Sequence, residues 1–402
     1  MKKVLSLSVA LSSLVFGASY QIPNNSVNSN ALATAYVANA HGADASYYNP
    51  ANMVYNGNNS EIEASLMYVY LPAQDYNPVR GRNIQSERQD AYIPSLHYTS
   101  GKFTDLGIRI GFSIVAPYGL SREWDNQPAR ATAERFDLTV VEYNPTIAIP
   151  ITNQISFAAG LRYITAEGQV RINGEPYVDY AVNMNGKDKR FAYNLALTYK
   201  PLEELSIGTT YRSGVTMNTI GMATVMLPGY VAYTGASTQV EMPDNFAAAV
   251  AYTFDKKTTV ELTFDMTMWS GIDKLNFDYV NPIVEGSFLG ATKQRRWHDT
   301  FSYRMGVTHK FDDGITLMGG LAYSTNASDG EYVSYSSPEA DSITYALGGR
   351  YDLSESLNVG LSVLYADYKD RTVLQPSNPM GVNGEFTSKA ALAISTSINY
   401  KF

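Results

Sequence analysis

The chain has 402 residues, no cysteine, 31 tyrosines and a formal net charge of -8 at neutral pH. The lack of cysteine excludes a disulfide framework, and an acidic balance with no basic cluster excludes nucleic acid as a partner, because phosphate binding needs a basic patch. At 45 % hydrophobic the composition resembles a soluble protein, yet every second residue of a membrane β-barrel can face a polar lumen, so composition does not exclude a barrel.

Met1 to Ser19 read as a secretory signal peptide: Lys2 and Lys3, an apolar run from Val4 to Phe16, then Gly17-Ala18-Ser19 before Tyr20. That run is too short to span a bilayer as a helix, and no later segment approaches the roughly 20 apolar residues required. Removing the two lysines takes the charge from -8 to -10. Residues 20 to 60 follow, rich in Asn, Ala and Gly and without apolar periodicity.

From Glu61 onward fourteen stretches alternate. Six short gaps separate them (Ser100 to Thr104, Pro150 to Asn153, Lys200 to Glu203, Asp255 to Lys257, Asp312 to Gly314 and Asp352 to Ser356). Seven long gaps intervene: Pro72 to Gln89, Pro117 to Arg135, Asn173 to Gly186, Ala223 to Ser237, Ser270 to His298, Thr325 to Asp341 and Lys369 to Thr387. Short turns on one side and long loops on the other are the pattern of an outer-membrane barrel. The last stretch, Leu392 to Phe402, puts Leu392, Ile394, Ile398, Tyr400 and Phe402 on one face and Ser395, Ser397, Asn399 and Lys401 on the other, with the length and period of a tilted spanning strand. The fold expected is all-β, a fourteen-stranded antiparallel transmembrane barrel over residues 61–402. Arg109, Glu142, Arg162, Arg212, Glu261, Asp265, Arg304 and Arg350 all fall on the inward phase, as the cost of charge against lipid demands. In the fourth stretch Phe136, Leu138 and Val140 give way to Val141, Tyr143, Ile147 and Ile149, which predicts a β-bulge there. Fourteen strands leave a lumen that facing side chains do not fill, and residues 20–60 are the segment expected inside it as a plug.

Within that segment runs Gly42-Ala43-Asp44-Ala45-Ser46-Tyr47-Tyr48-Asn49-Pro50-Ala51. With a mature start at Tyr20-Gln21, Pro117-Tyr118-Gly119-Leu120, Trp269-Ser270 and Trp297-His298-Asp299-Thr300, the whole mature chain resembles the family of outer-membrane long-chain fatty acid and hydrocarbon transporters. The resemblance implies an outer-membrane location in a Gram-negative bacterium and a monomeric barrel inserted by the barrel assembly machinery. It also implies an amino-terminal hatch in which Asn49, Pro50 and Ala51 match the hatch triplet. The cargo implied is a long-chain fatty acid or other hydrophobic small molecule, captured by extracellular loops and released sideways into outer-membrane lipid through a kink in the third strand. No cofactor, metal or enzymatic activity is implied.

The residues offer candidates for each part. Asp44 and Asn49 are expected to hold the hatch to inward arginines such as Arg109, Arg162 or Arg304, since charge-assisted hydrogen bonds suit a polar plug. Met222, Val225, Met226, Leu227 and Tyr230 form an apolar stretch expected as a capture loop, with folding back over the barrel as the alternative. Met67, Val69 and Leu71 follow inward Glu61 and Glu63 on the first strand, so the lumen is expected to turn apolar toward the outside. Gly107, Arg109 and Gly111 mark the third strand as the lateral gate, because glycine weakens a strand or makes room for close approach. The four histidines, His41, His97, His298 and His309, are too dispersed for a metal cage. A lipid hydrolase using His298 and Ser302 and a purely structural or adhesive barrel are the competing readings.

Overall fold

The computed structural model describes residues 20–402 except 104, 375–377, 379 and 388, so the expected leader lies outside the described residues. The barrel strands are β1 (Glu61–Leu71), β2 (Gln89–Thr99), β3 (Arg109–Glu123), β4 (Arg135–Pro150), β5 (Ile155–Asn173) and β6 (Ala181–Tyr199). Then come β7 in two pieces (Leu205–Arg212 and Val215–Leu227), β8 in two pieces (Tyr230–Met242 and Asn245–Phe254) and β9 (Thr258–Thr267). The rest are β10 (Thr300–Lys310), β11 (Ile315–Ser324), β12 (Ser342–Asp352), β13 (Leu357–Tyr368) and β14 (Ala391–Lys401). Each pairs antiparallel with the next, and β1 closes the ring on β14 from Glu61↔Lys401 to Tyr70↔Leu392. The fourteen-stranded closed barrel expected from alternation is the fold.

The faces follow the period of two. On β14 Ser395, Ser397 and Asn399 are buried while Ile398 and Tyr400 are exposed on the lipid side. On β6 the outward set Phe191, Tyr193, Leu195, Leu197 and Tyr199 makes an apolar band. At about 3.3 Å per residue and a barrel tilt, its nine residues approach the ~25 Å of a bilayer's apolar band. The inward charges meet in pairs: Arg162 with Glu142 at 2.8 Å, Arg350 with Glu63 at 2.7 Å, and Arg212 with the other Glu142 oxygen.

Two expectations about strands are corrected. Residues 223–237 are not a loop: Val215–Leu227 and Tyr230–Met242 pair from Val215↔Met242 to Leu227↔Tyr230 around Pro228-Gly229, where Gly229 takes φ +70°. Proline followed by a residue with positive φ is the preferred centre of a tight turn. The apolar residues alternate, and inward Ala223, Val225 and Ala232 pack on Phe277, Tyr279 and Leu289 of the following loop. Met222 to Tyr230 therefore belong to a hairpin that extends the wall.

The bulge sits in β3 and not β4. The β3–β4 register shifts between Val115 and Tyr118, whose partners Glu142 and Val140 are two residues apart, so β3 carries the extra residue beside Pro117, which has no N–H to donate. β4 keeps its phase throughout. Leu138 and Val140 point inward above Glu142, and the apolar run read as a slip is the upper lumen wall.

The amino-terminal segment lies within the ring. A short helix (Val27–Ala31), a second (Ala45–Tyr48) and a 3-10 turn (Pro50–Tyr55) place Val27, Ala31, Tyr36, Asp44, Asn49 and Met53 almost completely out of solvent. Small residues on the inner wall admit them. A Cβ added at Gly320 would lie 2.1 Å from the Leu32 carbonyl carbon, and one at Gly111 would lie 2.6 Å from Met53 Sδ.

Candidate ligand site and gate

Polar contacts spread over the ring hold residues 20–60, through partners other than those expected. Asp44 accepts from Asn28 Nδ2 and Tyr36 OH, each at 3.0 Å. Burial and then the Glu63 carboxylate push Asp44 up to about 7, against the pull of Arg350. Burial pushes neighbouring His41 down to about 3. Asn49 Nδ2 donates to Val37 O at 2.9 Å and Thr198 Oγ1 at 3.0 Å, while its Oδ1 caps the Ala51 N–H at 3.1 Å. Pro50 opens the 3-10 turn, and Ala51 O accepts from Ser156 Oγ at 2.9 Å. The asparagine of the triplet thus pins two stretches of the segment to each other and to β6.

The arginines act on backbone carbonyls. Arg109 donates to Asn56 O at 2.6 Å and Gly57 O at 2.7 Å, and Arg304 donates to Ala33 O at 3.1 Å. Arg162 turns instead to Glu142 and Ser213 O. Arg212 lies over the Tyr47 ring at 4.3 Å, tying the Glu142 cluster to the segment. Glu261 was not singled out as an anchor, yet it accepts three backbone N–H groups, from Val37, Ala38 and Asn39.

Above this polar floor the lumen turns apolar. Tyr20 meets Trp269, Tyr118 and Trp297 with ring centroids 4.9, 6.0 and 6.0 Å away, and the two tryptophans lie 5.3 Å apart. The sequence motifs quoted above therefore converge on one aromatic cluster, each edge contact contributing about 1 kcal/mol. Beside it lies a cavity of about 110 Å³ lined by Leu120, Phe136, Leu138, Val170, Met184, Val240, Ile272, Phe277 and Trp297. Arg295 also lines it. The residue is 6 % exposed, bonds Ser334 Oγ at 2.6 Å and lies in the field of the Glu339 carboxylate; burial pushes it down to about 10, so it stays cationic at neutral pH. A second cavity of about 310 Å³ toward the long loops shares Phe136, Val170, Met184 and Phe277 with the first. The two form one apolar track.

Met67, Val69 and Leu71 are buried, packed with Ile22, Ala91 and Ile93, and Leu71 borders a cavity of about 70 Å³ that shares Leu120, Ser336 and Ser337 with the first. Val225 is buried in the hairpin cluster, with Leu227 and Tyr230 packed against it, and Met226 is exposed. Of the gate residues, Gly107 precedes β3 with φ +76°, and Arg109 and Gly111 keep regular register with Ala148 and Thr146. The departure from regular pairing lies further on. The β2–β3 ladder ends at Leu96↔Ile114, and Tyr20 to Ile22 pair from inside with the bulge through Ile22 N to Pro117 O and Gly119 N to Tyr20 O, each 2.8 Å. The hydrolase pair stays apart: Ser302 Oγ bonds Ser324 Oγ, and His298 faces Asp329.

The model of the outer membrane protein transport protein family (OMPP1/FadL/TodX) matches residues 8–402. The chain belongs to this family. It is an outer-membrane protein of the Gram-negative type, from a family of transporters of hydrophobic compounds. It is 22 % identical to outer membrane protein P1 of Haemophilus influenzae, covering 78 % of this chain and 75 % of the relative. It is also 22 % identical to a putative outer membrane protein of Neisseria meningitidis, over 100 % and 98 %. A FadL homologue of Pseudomonas aeruginosa superposes with a TM-score of 0.83 at 16 % identity, over 95 % of this chain and 99 % of that one. The toluene transporter TodX of P. putida gives 0.74 at 16 %, over 94 % and 99 %.

Proposed function

We propose that this chain carries long-chain fatty acids or related hydrophobic molecules into the outer membrane, with residues 20–60 as the hatch that closes the barrel to water. The apolar track ending on a buried guanidinium supports this most directly. Apolar walls favour an alkyl chain by about 0.8 kcal/mol per methylene removed from water, and Arg295 offers its cation to an acidic head group. Capture falls to the outer cavity and the hairpin above it, where Met222, Val225, Met226, Leu227 and Tyr230 form the rim. Leu71 extends the lining, backed by Met67 and Val69 in the same buried cluster.

Release is sideways, at the bulge between Val115 and Tyr118 and not at Gly107 to Gly111, because there the ladder to β2 has lapsed and the amino-terminal segment closes the wall, Tyr20 to Ile22 on the bulge and Asn25 between the Ala116 N–H of β3 and the Ser95 hydroxyl of β2. A straight descent would take the chain past Glu142, Arg162 and Arg212, a charged floor that repels apolar cargo. The protein works as a monomer, inserted by the barrel assembly machinery through its terminal strand and delivering its cargo to outer-membrane lipid. Titrating purified protein with oleate and with toluene while following tryptophan fluorescence tests the reading. Saturable change with oleate is expected, and no response to either overturns it.

A further inference from the structure

The β6–β7 seam lapses too. Its ladder runs from Tyr199↔Ile207 to Asn194↔Arg212 and resumes only at Lys187↔Ile220. Between these, Tyr193 and Ser213 exchange two bonds and Asn218 N reaches Asp188 Oδ2 at 2.6 Å, but Lys189 to Ala192 and Gly214 to Met217 have no ladder partner across the seam. The cause lies in the neighbouring strands. β7 breaks at Ser213-Gly214 and β8 at Pro243-Asp244, where Asp244 Oδ1 accepts the Gly214 N–H at 3.0 Å, so the upper hairpin leaves the lower wall as a separate ribbon.

Register links this lapse to the β3 bulge across three ladders: Val115 pairs with Glu142, Glu142 with Ile164 and Ile164 with Arg190. On the lumen side Ala192 and Met217 are buried in the cluster that holds Tyr20, Trp269 and Trp297, and the 110 Å³ cavity begins just above, at Gly186 and Thr219. On the outer side Phe191 is 66 % exposed at the top of the apolar band with Lys189 next above it, while Arg190, on the phase of Ala192, pairs with Asp188 at 2.8 Å. Unpaired backbone is costly in hydrocarbon but tolerated at the interface, where water and basic side chains reach it.

We infer that the β6–β7 seam is a second lateral port, through which an apolar chain passes between the lumen cavity and the outer leaflet. It rests on the reading that the cavity holds a hydrophobic ligand. Ala192 closes the inner side without lining the cavity, so its small side chain sets the width of the passage, and the port exchanges cargo on the side of the β3–β6 panel away from the bulge.

The test uses cis-parinaric acid, which accepts energy from Trp297 and Trp269. Wild-type barrel in vesicles containing quencher-bearing lipid loses energy transfer as the probe leaves for the bilayer. Ala192→Leu, which adds no donor, should slow that loss severalfold, with affinity in detergent measured alongside so that rates are compared at equal occupancy. Because the chain has no cysteine, Ala192→Cys allows the same block after folding: a bulky thiosulfonate should slow exchange, and reductant should restore it. An exchange rate unchanged by either modification, with binding intact, overturns the port and leaves the transport reading standing. Absence of energy transfer from wild type in detergent overturns both.

Discussion

The carboxylate of Glu261 accepts the backbone N–H of Val37 at 2.6 Å, and those of Ala38 and Asn39 at 3.1 and 2.7 Å. One side chain of the wall therefore satisfies three consecutive backbone donors of a buried segment, beside the packing of Val37 and Ala38 on Ala247, Ala249 and Ala251. Glu261→Ala leaves those donors unpaired, at about 1–3 kcal/mol for each buried group, so the segment should loosen by roughly 3 kcal/mol or more. Single-channel conductance in planar bilayers should rise for Glu261→Ala and less for Glu261→Gln, which keeps one acceptor oxygen. A closed trace like that of wild type would show that the segment does not plug the lumen.

Gly320 tests the same fit from the steric side. A Cβ there would meet the Leu32 carbonyl carbon at 2.1 Å and its oxygen at 2.4 Å, both backbone atoms that cannot rotate away. Gly320→Val should keep the heat-modifiable mobility of a folded barrel while exposing residues 20–60 to added protease. Gly57→Ala, where a Cβ meets nothing within 4 Å, should behave as wild type. Equal protection in both variants would refute the tight packing of Leu32 against β11.

The barrel was legible because each strand repeats one simple constraint, and Ile394, Ile398 and Tyr400 face lipid as their alternation requires. Positions governed by two constraints were misread. Phe136 and Leu138 line the upper cavity and Val140 is buried in the aromatic cluster beside it, so inward apolar residues imitate a change of face, and the hairpin around Pro228-Gly229 imitates a loop because its strands run beyond the bilayer. The arginine partners were not legible, since angular position around a ring is absent from alternation, and Arg109 and Arg304 turned out to hold backbone carbonyls. Arg295 lies in a long gap without periodicity, two residues before the Trp297-His298 motif, which points to the aromatic cluster and not to the cation beside it.

Two residues of the amino-terminal segment titrate in opposite senses. Asp44 rises from its ordinary 3.8 to about 7 when folded, so its contribution to stability is present below pH 3.8 and lost as pH rises through 7. His41 falls from 6.5 to about 3, so its contribution is present above 6.5 and lost as pH falls toward 3. In wild type the two largely offset between these limits. Asp44→Asn should remove the first, leaving a segment whose resistance to urea-induced channel opening climbs from about pH 3 to 6.5 and then stays level. The same pH profile in both proteins would contradict the burial of Asp44.

Arg295 decides between classes of cargo. Arg295→Gln removes the buried cation and keeps the cavity walls, so oleate affinity should fall at least about tenfold, the 1.4 kcal/mol of a modest charge-assisted bond, while toluene affinity stays within twofold of wild type. Equal losses for both ligands would mean that Arg295 shapes the cavity without reading a head group.

The most direct measurement is uptake of radiolabelled oleate by cells that lack their own long-chain fatty acid transporter and express this chain. Saturable uptake above the empty-vector rate is expected, abolished by Leu138→Trp, which fills the cavity between Phe136 and Trp297, with the barrel still present in the outer membrane. Uptake at the empty-vector rate, or undiminished uptake in Leu138→Trp, would contradict transport through this lumen.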